Sequence, residues 1–505
     1  MAISGDTIAR VAPAIDGSAR RTIDGSGLVV APGFIDIHTH ARRGIFEVAT
    51  AENYVRQGVT TLMEGPDGSS PLPLKPFLDK LAALKTSVNI GSFVGQGTIR
   101  GEVIGEGDRA ATPADIERMT QLVEQGMRDG AFGLSSGLFY VPGSFATTAE
   151  VTALARVAGR HGGIYISHMR EEASKVVDSV KETIAIGEQG GLPTQVTHHK
   201  VIGATNWGRS VDTLRAIDEA RARGVDATID QYPYTASSTS VQAALLPRWA
   251  QEGGRDRVLE RLRDPATRAK IRGETAEIIR TERGGGDPKN VQLASCGFDG
   301  TLAGKTLTDI MKMRGDKAAP AAAASTGPTT ATAKVGAATK GMLEQAADAA
   351  LWLVEQGGCQ GVFHAIGEED LVRILRHPAT MIGSDGEVPI FGRDMPHPRS
   401  YGTFARVLGV YVREKQAITL EDAVRKMTSF PAQRLSLADR GVIRPGLRAD
   451  LVLFDPARIR DAATFERPHQ YAEGVSLVVV NGEVIYEQGA MTAARPGRVL
   501  RRNGW

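Results

Sequence analysis

LVVAPGFIDIHTH, residues 28–40, combines an apolar run with two histidines at alternate positions, and it predicts the first strand of the fold. In a β-strand, residues two apart point to the same face, so His38 and His40 lie side by side where the run ends. Alone, such a pair has two interpretations: half of a metal site, or a hydrogen-bonded pair on a half-exposed strand. The rest of the chain decides between them.

Seven further β-like runs follow, and segments with helical periodicity separate most of them, as at residues 113–130 and 148–163. Strands that alternate with helices at a spacing of roughly 30 residues are typical of a parallel α/β fold. Eight such units predict a TIM-like (β/α)8 barrel, in which functional residues gather at the carboxyl ends of the strands. The seven runs are GVTTLMEG (58–65), SVNIGSFVG (87–95), GAFGLSSG (130–137), GGIYISHM (162–169), LPTQVTHH (192–199), VDATIDQYPY (225–234) and ATMIGSDG (379–386).

The stretch from Tyr232 to Gly383 is far too long for one helical crossover, so it predicts an insertion between two barrel strands. Within it, residues 320–340 are rich in Ala, Thr, Gly and Pro, a composition typical of loops. We interpret the segment at about 285–345 as a lid at the active-site end of the barrel. A surface excursion without function is the alternative.

Both chain ends contain strand-like, turn-rich segments outside the barrel. RADLVLFD (448–455) and SLVVVNGEVIYEQG (476–489) predict strands, and the second contains an Asn-Gly hairpin turn at 481–482. Residues 6–30 have the same character. We therefore expect residues 1–30 and 440–505 to form one small β-domain beside a barrel at residues 31–439.

The composition excludes several classes of protein. A net charge of +2 in 505 residues gives no indication of a nucleic-acid or membrane-surface partner. No apolar run reaches the roughly 18 residues that span a bilayer, and the N-terminus lacks the pattern of a signal peptide. Cys296 and Cys359 are too few for a disulfide framework or a Cys-rich zinc site. We expect a cytoplasmic protein in which histidines and carboxylates bind any metal.

Polar side chains end several of the strands, in barrel order. A single histidine at such a place would more often be structural, but an ordered set of them with a carboxylate is improbable as coincidence. Neutral imidazoles and a carboxylate suit zinc or a similar divalent ion, with one position left open for water. The sequence therefore predicts a metal centre. Its candidate residues are His38 and His40 on strand one, His168 on strand five, His198 on strand six and Asp385 on strand eight, while the neighbouring His199 is expected to be structural or to support a ligand.

These residues lie in motifs that resemble the amidohydrolase superfamily and, within it, the D-aminoacylases or N-acyl-D-amino-acid deacylases. The resemblance covers nearly the whole chain from residue 31. It implies a distorted (β/α)8 barrel with a small β-domain, and metal-dependent hydrolysis of N-acyl-D-amino acids to a D-amino acid and a carboxylic acid. The motifs are PGFIDIHTH, GLSSGLFYVPGSFATTAE, YISHMREE, THHK, DQYPYTASST, IGSDG, HPRSYGTFARVLG, MTSFPAQRLSL and DRGVIRPGLRADLVLFDP.

The resemblance also implies roles for individual residues. The histidines of strands five and six are expected to bind one zinc ion tightly, and the pair on strand one a second, weaker ion. A general acid/base, two substrate contacts and an arginine for the free carboxylate of the substrate complete the site; a guanidinium pairs with a carboxylate through two hydrogen bonds. A surface position is the alternative for the arginine. The tight ion is assigned to His168 and His198, and the weaker one to His38 and His40. Asp385 is the expected general acid/base, Lys200 and Tyr232 are the substrate contacts, and Arg399 is the arginine for the carboxylate.

The chain departs from the family at strand two. The family has a bridging Cys in a GNCG motif, whereas this stretch is GPDG, so Asp67 takes the position of the thiolate. A carboxylate can bridge two metal ions and is a harder ligand than a thiolate. Glu64 is the competing candidate, and a plain turn residue is the alternative for Asp67. The family also begins with a further N-terminal strand, so either the small β-domain lacks a strand or the chain is trimmed.

Two other functions stay open. The same site would suit a dipeptidase, or a hydrolase of β-lactams or cyclic amides. Some barrels of the superfamily have lost their metals and serve as assembly scaffolds, but the ligand set is complete in this sequence. For either enzyme the expected partner is a small-molecule substrate, with no nucleic acid and no membrane, and the oligomeric state is unassigned.

Overall fold

Eight parallel strands form a closed barrel in the computed structural model, which describes residues 1–315 and 339–502. The third strand is interrupted at Phe93, and an isolated parallel bridge between Thr39 and Gly386 joins the eighth strand to the first. The predicted (β/α)8 barrel is confirmed, because each strand lies within one of the predicted runs. The strands are Phe34–Asp36, Val59–Glu64, Asn89–Ser92 with Val94–Gly95, Gly133–Gly137, Ile164–His168, Thr194–Val196, Ala227–Gln231 and Thr380–Ile382.

Amphipathic helices pack around the barrel. The helix Pro113–Arg128 begins at a reciprocal pair of hydrogen bonds. The Thr112 side chain accepts one from the Asp115 N–H, and the Asp115 carboxylate accepts one from the Thr112 N–H. Pro113 fixes its first turn, and Met119 and Val123 are buried on its inner face. Helices of the barrel region span Glu52–Val55, Leu74–Leu84, Gln96–Val103, Pro113–Arg128, Thr148–Arg160, Val176–Gly190, Ser210–Ala222, Glu368–Arg376, Arg399–Arg406, the π-helix Val407–Glu414, Leu420–Met427 and Ser429–Arg434.

The insertion between strands seven and eight has its own sheet and core. Strands Ser237–Ser240 and Val291–Cys296 pair antiparallel with the central strand Cys359–Phe363. Residues 316–338, which include most of the predicted loop at 320–340, lie outside the described residues, so the lid stays a prediction. Helices of the insertion are Val241–Leu245, Gly254–Arg263, Pro265–Thr281, Leu307–Met313 and Lys340–Gln356.

A disulfide joins the two cysteines. The strand register places Cys296 directly opposite Cys359, with 4.3 Å between their Cα atoms. The cysteine count alone did not predict this bond, because the partners are 63 residues apart and meet only through the sheet of the insertion.

The two chain ends meet in a small β-domain. Strand Val29–Pro32 pairs with Leu451–Phe454, and Val475–Val480, Glu483–Glu487 and Ala490–Met491 complete a five-stranded sheet. The turn between the third and fourth of these strands is the predicted Asn481-Gly482 pair, with φ of 46° and 82°. The predicted pairing of both ends is confirmed, whereas the domain boundaries at residues 30 and 440 stay a prediction. Strands Ala2–Ser4 and Thr7–Arg10 form a separate hairpin.

The last described residues return to the barrel. The Ile90 N–H donates to the Arg498 carbonyl at 2.9 Å, and the Leu500 N–H donates to the Ile90 carbonyl at 2.8 Å. Leu500 packs against a cluster of barrel side chains that includes Ile35 and Phe93. Among the helices of residues 1–315 and 339–502, none combines the length and apolar character needed to cross a membrane.

Candidate metal centre

A cavity of about 570 Å³ opens at the carboxyl ends of the barrel strands. Side chains from both the barrel and the insertion line it, so the two parts of the chain share one site. All the candidate residues named from the sequence except His38, His199 and Glu64 line this cavity: His40, Asp67, His168, His198, Lys200, Tyr232, Asp385 and Arg399.

The first group of possible metal ligands consists of His38, His40, Asp67 and Asp385. The Nε2 atom of His38 lies 3.5 Å from both Asp67 Oδ1 and Asp385 Oδ1. The Nε2 atom of His40 lies 3.3 Å from Asp67 Oδ2 and 3.0 Å from Asp385 Oδ1. These atoms point to one space, as ligands of one ion would.

The second group consists of His168, His198 and, again, Asp67. Asp67 Oδ1 lies 3.9 Å from His168 Nδ1 and 3.4 Å from His198 Nε2. The two imidazoles approach each other, with His168 Nδ1 and His198 Nε2 2.8 Å apart. Because Asp67 belongs to both groups, its carboxylate stands where a bridge between two ions would stand.

Glu64 points elsewhere. It is buried, and its carboxylate accepts a hydrogen bond from the Arg42 N–H at 2.9 Å and lies 3.5 Å from Arg42 Nε. Within the described residues it belongs to neither group of candidate ligands. The strand ends at Glu64, and the turn through Gly65 carries Asp67 towards the histidines. The geometry thus favours Asp67 over Glu64.

The donor set fits divalent metal ions. Four buried atoms in it have no hydrogen-bond partner among the described residues: both ring nitrogens of His38, Asp67 Oδ1 and His168 Nε2. Buried polar atoms left in this way are costly unless something else binds them. Imidazole and carboxylate ligands in this number suit zinc.

Three of the clustered residues have left-handed backbone conformations: Asp67 at φ 55°, His198 at φ 34° and Asp385 at φ 53°. Each such residue costs on the order of 1–3 kcal/mol and persists only where the surroundings impose it. All three follow the end of a barrel strand, where the turn aims the side chain into the cavity. Part of the backbone strain in the described residues thus lies at the predicted metal centre.

Asp385 is paired with Arg399. The Arg399 Nη1 atom lies 2.7 Å from Asp385 Oδ2, and both side chains are buried. Burial raises the pKa of Asp385, but Arg399 and then His40 outweigh it and hold that pKa below its usual range. The carboxylate is therefore ionised at neutral pH.

Lys200 belongs to a buried charge cluster beside the two histidines. Its ammonium donates to Glu172 Oε1 at 2.5 Å and lies 2.7 Å from His198 Nδ1. Arg283, from the insertion, contacts the other oxygen of Glu172 at 3.1 Å. Burial lowers the pKa of Lys200, while Glu172 opposes that shift. One carboxylate thus holds two cations at the cavity wall.

The ring of Tyr232 lies between the cationic side chains of Arg399 and Lys200. The Arg399 guanidinium is 4.9 Å from the centre of its ring, and Lys200 Nζ is 5.7 Å from it. The Tyr232 hydroxyl is buried and has no hydrogen-bond partner within the part of the chain that the structure describes. It is available to a bound molecule.

Sequence reasoning missed several residues of this region. Glu172 lies four residues after His168, a spacing that could have indicated it, but acidic residues after a motif are common on surfaces. Arg283 and Asp230 gave no such indication, because they approach the site only through the tertiary fold. His199, by contrast, lies outside the cavity, with its Nε2 2.8 Å from Thr213 Oγ1.

Known proteins share this architecture. A model of the amidohydrolase family matches residues 21–486. A D-aminoacylase of Alcaligenes xylosoxydans xylosoxydans is 35% identical and aligns with 99% of this chain and 93% of its own length. A solved D-aminoacylase with a binuclear metal centre is 34% identical, with a TM-score of 0.80 over 99% of this chain and 94% of that one. An N-acyl-D-glutamate deacylase from Bordetella bronchiseptica, complexed with zinc and a phosphonate mimic of the tetrahedral intermediate, is 32% identical, with a TM-score of 0.79 over 98% and 94% of the chains.

Proposed function

Because the chain belongs to the amidohydrolase family, we propose that it hydrolyses the amide bond of N-acyl-D-amino acids and releases a D-amino acid and a carboxylic acid. One observation carries the proposal: Asp67 is shared by two groups of possible metal ligands, and Asp385 stands beside them in one cavity. The D-aminoacylase and the zinc-bound N-acyl-D-glutamate deacylase support the substrate class.

Zinc is the proposed cofactor. His168, His198 and Asp67 would hold one ion tightly, and His38, His40 and Asp67 would hold a second one more weakly. When bound, zinc supplies Lewis acidity to a carbonyl oxygen and makes water a better nucleophile at neutral pH. The buried Nε2 atom of His38, which has no hydrogen-bond partner among the described residues and faces Asp67 and Asp385, supports this use of the site.

Asp385 is the proposed general acid/base. Its ionised carboxylate takes the proton of the attacking water and returns it to the leaving nitrogen, so one group serves both halves of the reaction. Arg399 fixes Oδ2 of Asp385, while Oδ1 faces His38 and His40.

Arg399, Lys200 and Tyr232 are the proposed contacts of the substrate carboxylate. Each lines the cavity, and the free Tyr232 hydroxyl and the two cations around its ring offer donors to an anion. Arg399 already pairs with Asp385, so a carboxylate bound by the guanidinium would also be held close to the acid/base.

We also propose that the insertion acts as a lid or wall over the site. Ser237–Ser240, Ser295 and Gln360 line the cavity, and all of them lie on the strands of the insertion. This arrangement supports a role in enclosing the substrate and excluding water.

The cytoplasmic location predicted from the sequence stays a proposal, and the cysteines offer its test. Disulfides persist mainly in oxidising compartments, whereas a reducing cytoplasm keeps such pairs as thiols. Because Cys296 and Cys359 are buried, cells are quenched with acid and denatured before alkylation, which should modify both thiols if the protein resides in the cytoplasm. Their complete protection until a reductant is added would contradict the proposal.

The function is tested with matched N-acyl-D- and N-acyl-L-amino acids, dipeptides and cyclic amides, together with metal analysis of the same sample. We expect hydrolysis of N-acyl-D-amino acids, little turnover of their L-enantiomers, and at least one equivalent of zinc. Asp385→Asn is the control that should retain the ion proposed for His168, His198 and Asp67 and lose turnover. Hydrolysis confined to dipeptides or cyclic amides would refute the proposed substrate class.

A further inference from the structure

Asp230 is a buried carboxylate just outside the two groups of candidate ligands. It lies near the end of the seventh barrel strand and is fully buried. None of the roles proposed above involves this side chain. Its position between His38 on strand one and His198 on strand six gives it access to both groups.

The contacts of Asp230 are specific. Its Oδ1 atom accepts a hydrogen bond from the His198 N–H at 2.7 Å and lies 3.5 Å from His38 Nδ1. Its Oδ2 atom accepts a hydrogen bond from Gln195 Nε2 at 2.5 Å. One carboxylate oxygen thus faces the backbone of one candidate ligand and the ring of another.

We propose that Asp230 is a positioning residue that aligns both halves of the metal centre, orienting the His38 ring through Nδ1 and holding the His198 backbone. The proposal rests on the metal-dependent function proposed above. Asp230 itself touches neither substrate nor metal in this role.

On His38, Asp230 acts on the tautomer of the ring. A neutral imidazole that binds a metal through Nε2 carries its proton on Nδ1. In His38, Nε2 faces Asp67 and Asp385, and Nδ1 faces Asp230. A carboxylate behind the ring fixes both the tautomer and the orientation, and makes the ligand atom more basic.

On His198, Asp230 acts on the backbone conformation. His198 is held at φ 34°, a conformation that a histidine seldom adopts. The hydrogen bond from its N–H to Asp230 stabilises this turn, which directs the ring towards Asp67. Glu172, 3.4 Å from His198 Nδ1, contacts the ring but not the backbone. Asp230 alone, among these two carboxylates, reaches both histidine groups.

The experiment compares zinc binding by the wild-type protein, Asp230→Asn and Asp36→Asn. Each protein is stripped of metal and titrated with zinc against a competing chelator, and metal-free samples are melted to check folding. Asn at position 230 keeps an oxygen for the His198 N–H, and the Gln195 amide can turn its unpaired oxygen to the new NH2 group. The fold is therefore retained while the charge opposite His38 is removed.

Asp36 is the matched control. It is equally buried and also lies beside His38, but its carboxylate accepts hydrogen bonds from the backbone N–H groups of His38, at 3.2 Å, and Ser384, at 2.9 Å. We expect Asp230→Asn to weaken one zinc ion by roughly 10- to 100-fold and Asp36→Asn to leave both ions nearly unchanged. Asp230→Ala, which also releases the His198 N–H, should weaken both ions.

Two results would overturn the proposal: a folded Asp230→Asn protein with both zinc affinities of the wild type, or an equal loss in Asp36→Asn. A wild-type protein that binds no zinc would instead refute the proposed cofactor. A crystal structure of the zinc-loaded wild type tests the same point without a variant. We expect zinc on His38 Nε2 and a direct hydrogen bond from Nδ1 to Asp230; zinc on Nδ1 would contradict the proposal.

Discussion

Asp385 combines three neighbours that hold its carboxylate in place: Arg399, His40 and His38. Asp385→Asn keeps the volume of the side chain but removes the proton acceptor. We expect kcat to fall by about two to four orders of magnitude, the contribution of one general acid/base group. Steady-state kinetics with zinc analysis of the same sample measures the effect. Near-normal turnover with bound metal would exclude the proposed role.

Asp67 and Glu64 lie three positions apart in the sequence but should behave differently when replaced. Asp67→Ala removes the carboxylate shared by the two groups, so we expect zinc content and activity to fall together. Glu64→Ala leaves the half-buried Arg42 N–H without its acceptor and should cost roughly 1–3 kcal/mol in free energy of unfolding, with zinc retained. Full metal content and full rate in Asp67→Ala would place the bridge elsewhere.

Glu172 balances two buried cations, and its replacement should affect stability first. In Glu172→Gln, Lys200 and Arg283 lose their shared counter-charge, at a cost of roughly 3–5 kcal/mol in free energy of unfolding. Glu188→Gln is the control, because the pair of Glu188 with Arg223 is exposed and should contribute less than about 1 kcal/mol. Denaturant unfolding compares the two. Equal stability of both variants would contradict this account.

At this scale, the sequence predicted residues that lie directly at strand ends. His38, His40, His168 and Asp385 follow apolar runs, and a barrel brings the ends of its strands together. Asp230 was not recognised, although it lies in the seventh run, because its neighbours across the barrel cannot be deduced from one strand. The candidate ligands at strand ends were predictable from local pattern, and the residue proposed to orient them was not.

Among the elements, the segment 498–502 seals one part of the barrel. Leu500 packs against barrel side chains, so Leu500→Ala should lower the free energy of unfolding by about 1–3 kcal/mol. Arg498→Ala is the control, since its exposed side chain pairs with Asp6 at the surface. Thermal melting measures both variants. We expect unchanged kinetics in each, and a loss of activity in folded Leu500→Ala would contradict a purely structural role.

The insertion shows what periodicity does not predict at the scale of elements. Its central strand, Cys359–Phe363, pairs with strands that lie more than 60 residues before it, and all three strands are short. Such pairing depends on tertiary packing. The sequence therefore predicted an insertion but did not predict the sheet within it. The barrel strands were predictable because each is a buried apolar run in a regular alternation with helices.

For the whole molecule, removal of the metal should lower the stability of the native state. A ligand present at about 100 times its dissociation constant stabilises the native state by about 2.7 kcal/mol, so chelation should lower the melting temperature as well as abolish hydrolysis. Added zinc should restore both. In Asp67→Ala the chelator should shift the melting temperature less than in the wild type. Identical melting curves with and without chelator would contradict metal binding.

The pairing of distant chain segments also determines when the molecule can be completed during synthesis. Val29–Pro32 pairs with Leu451–Phe454, and Ile90, which pairs with Leu62 on one side, is paired by residues 498–500 on the other. At roughly 5–20 residues per second, the 410 residues from Ile90 to Leu500 take about 20–80 s to emerge from the ribosome. During that time the edge of the third barrel strand is exposed beside apolar side chains. Until residues 498–500 have emerged, we expect this edge of the nascent chain to bind chaperones.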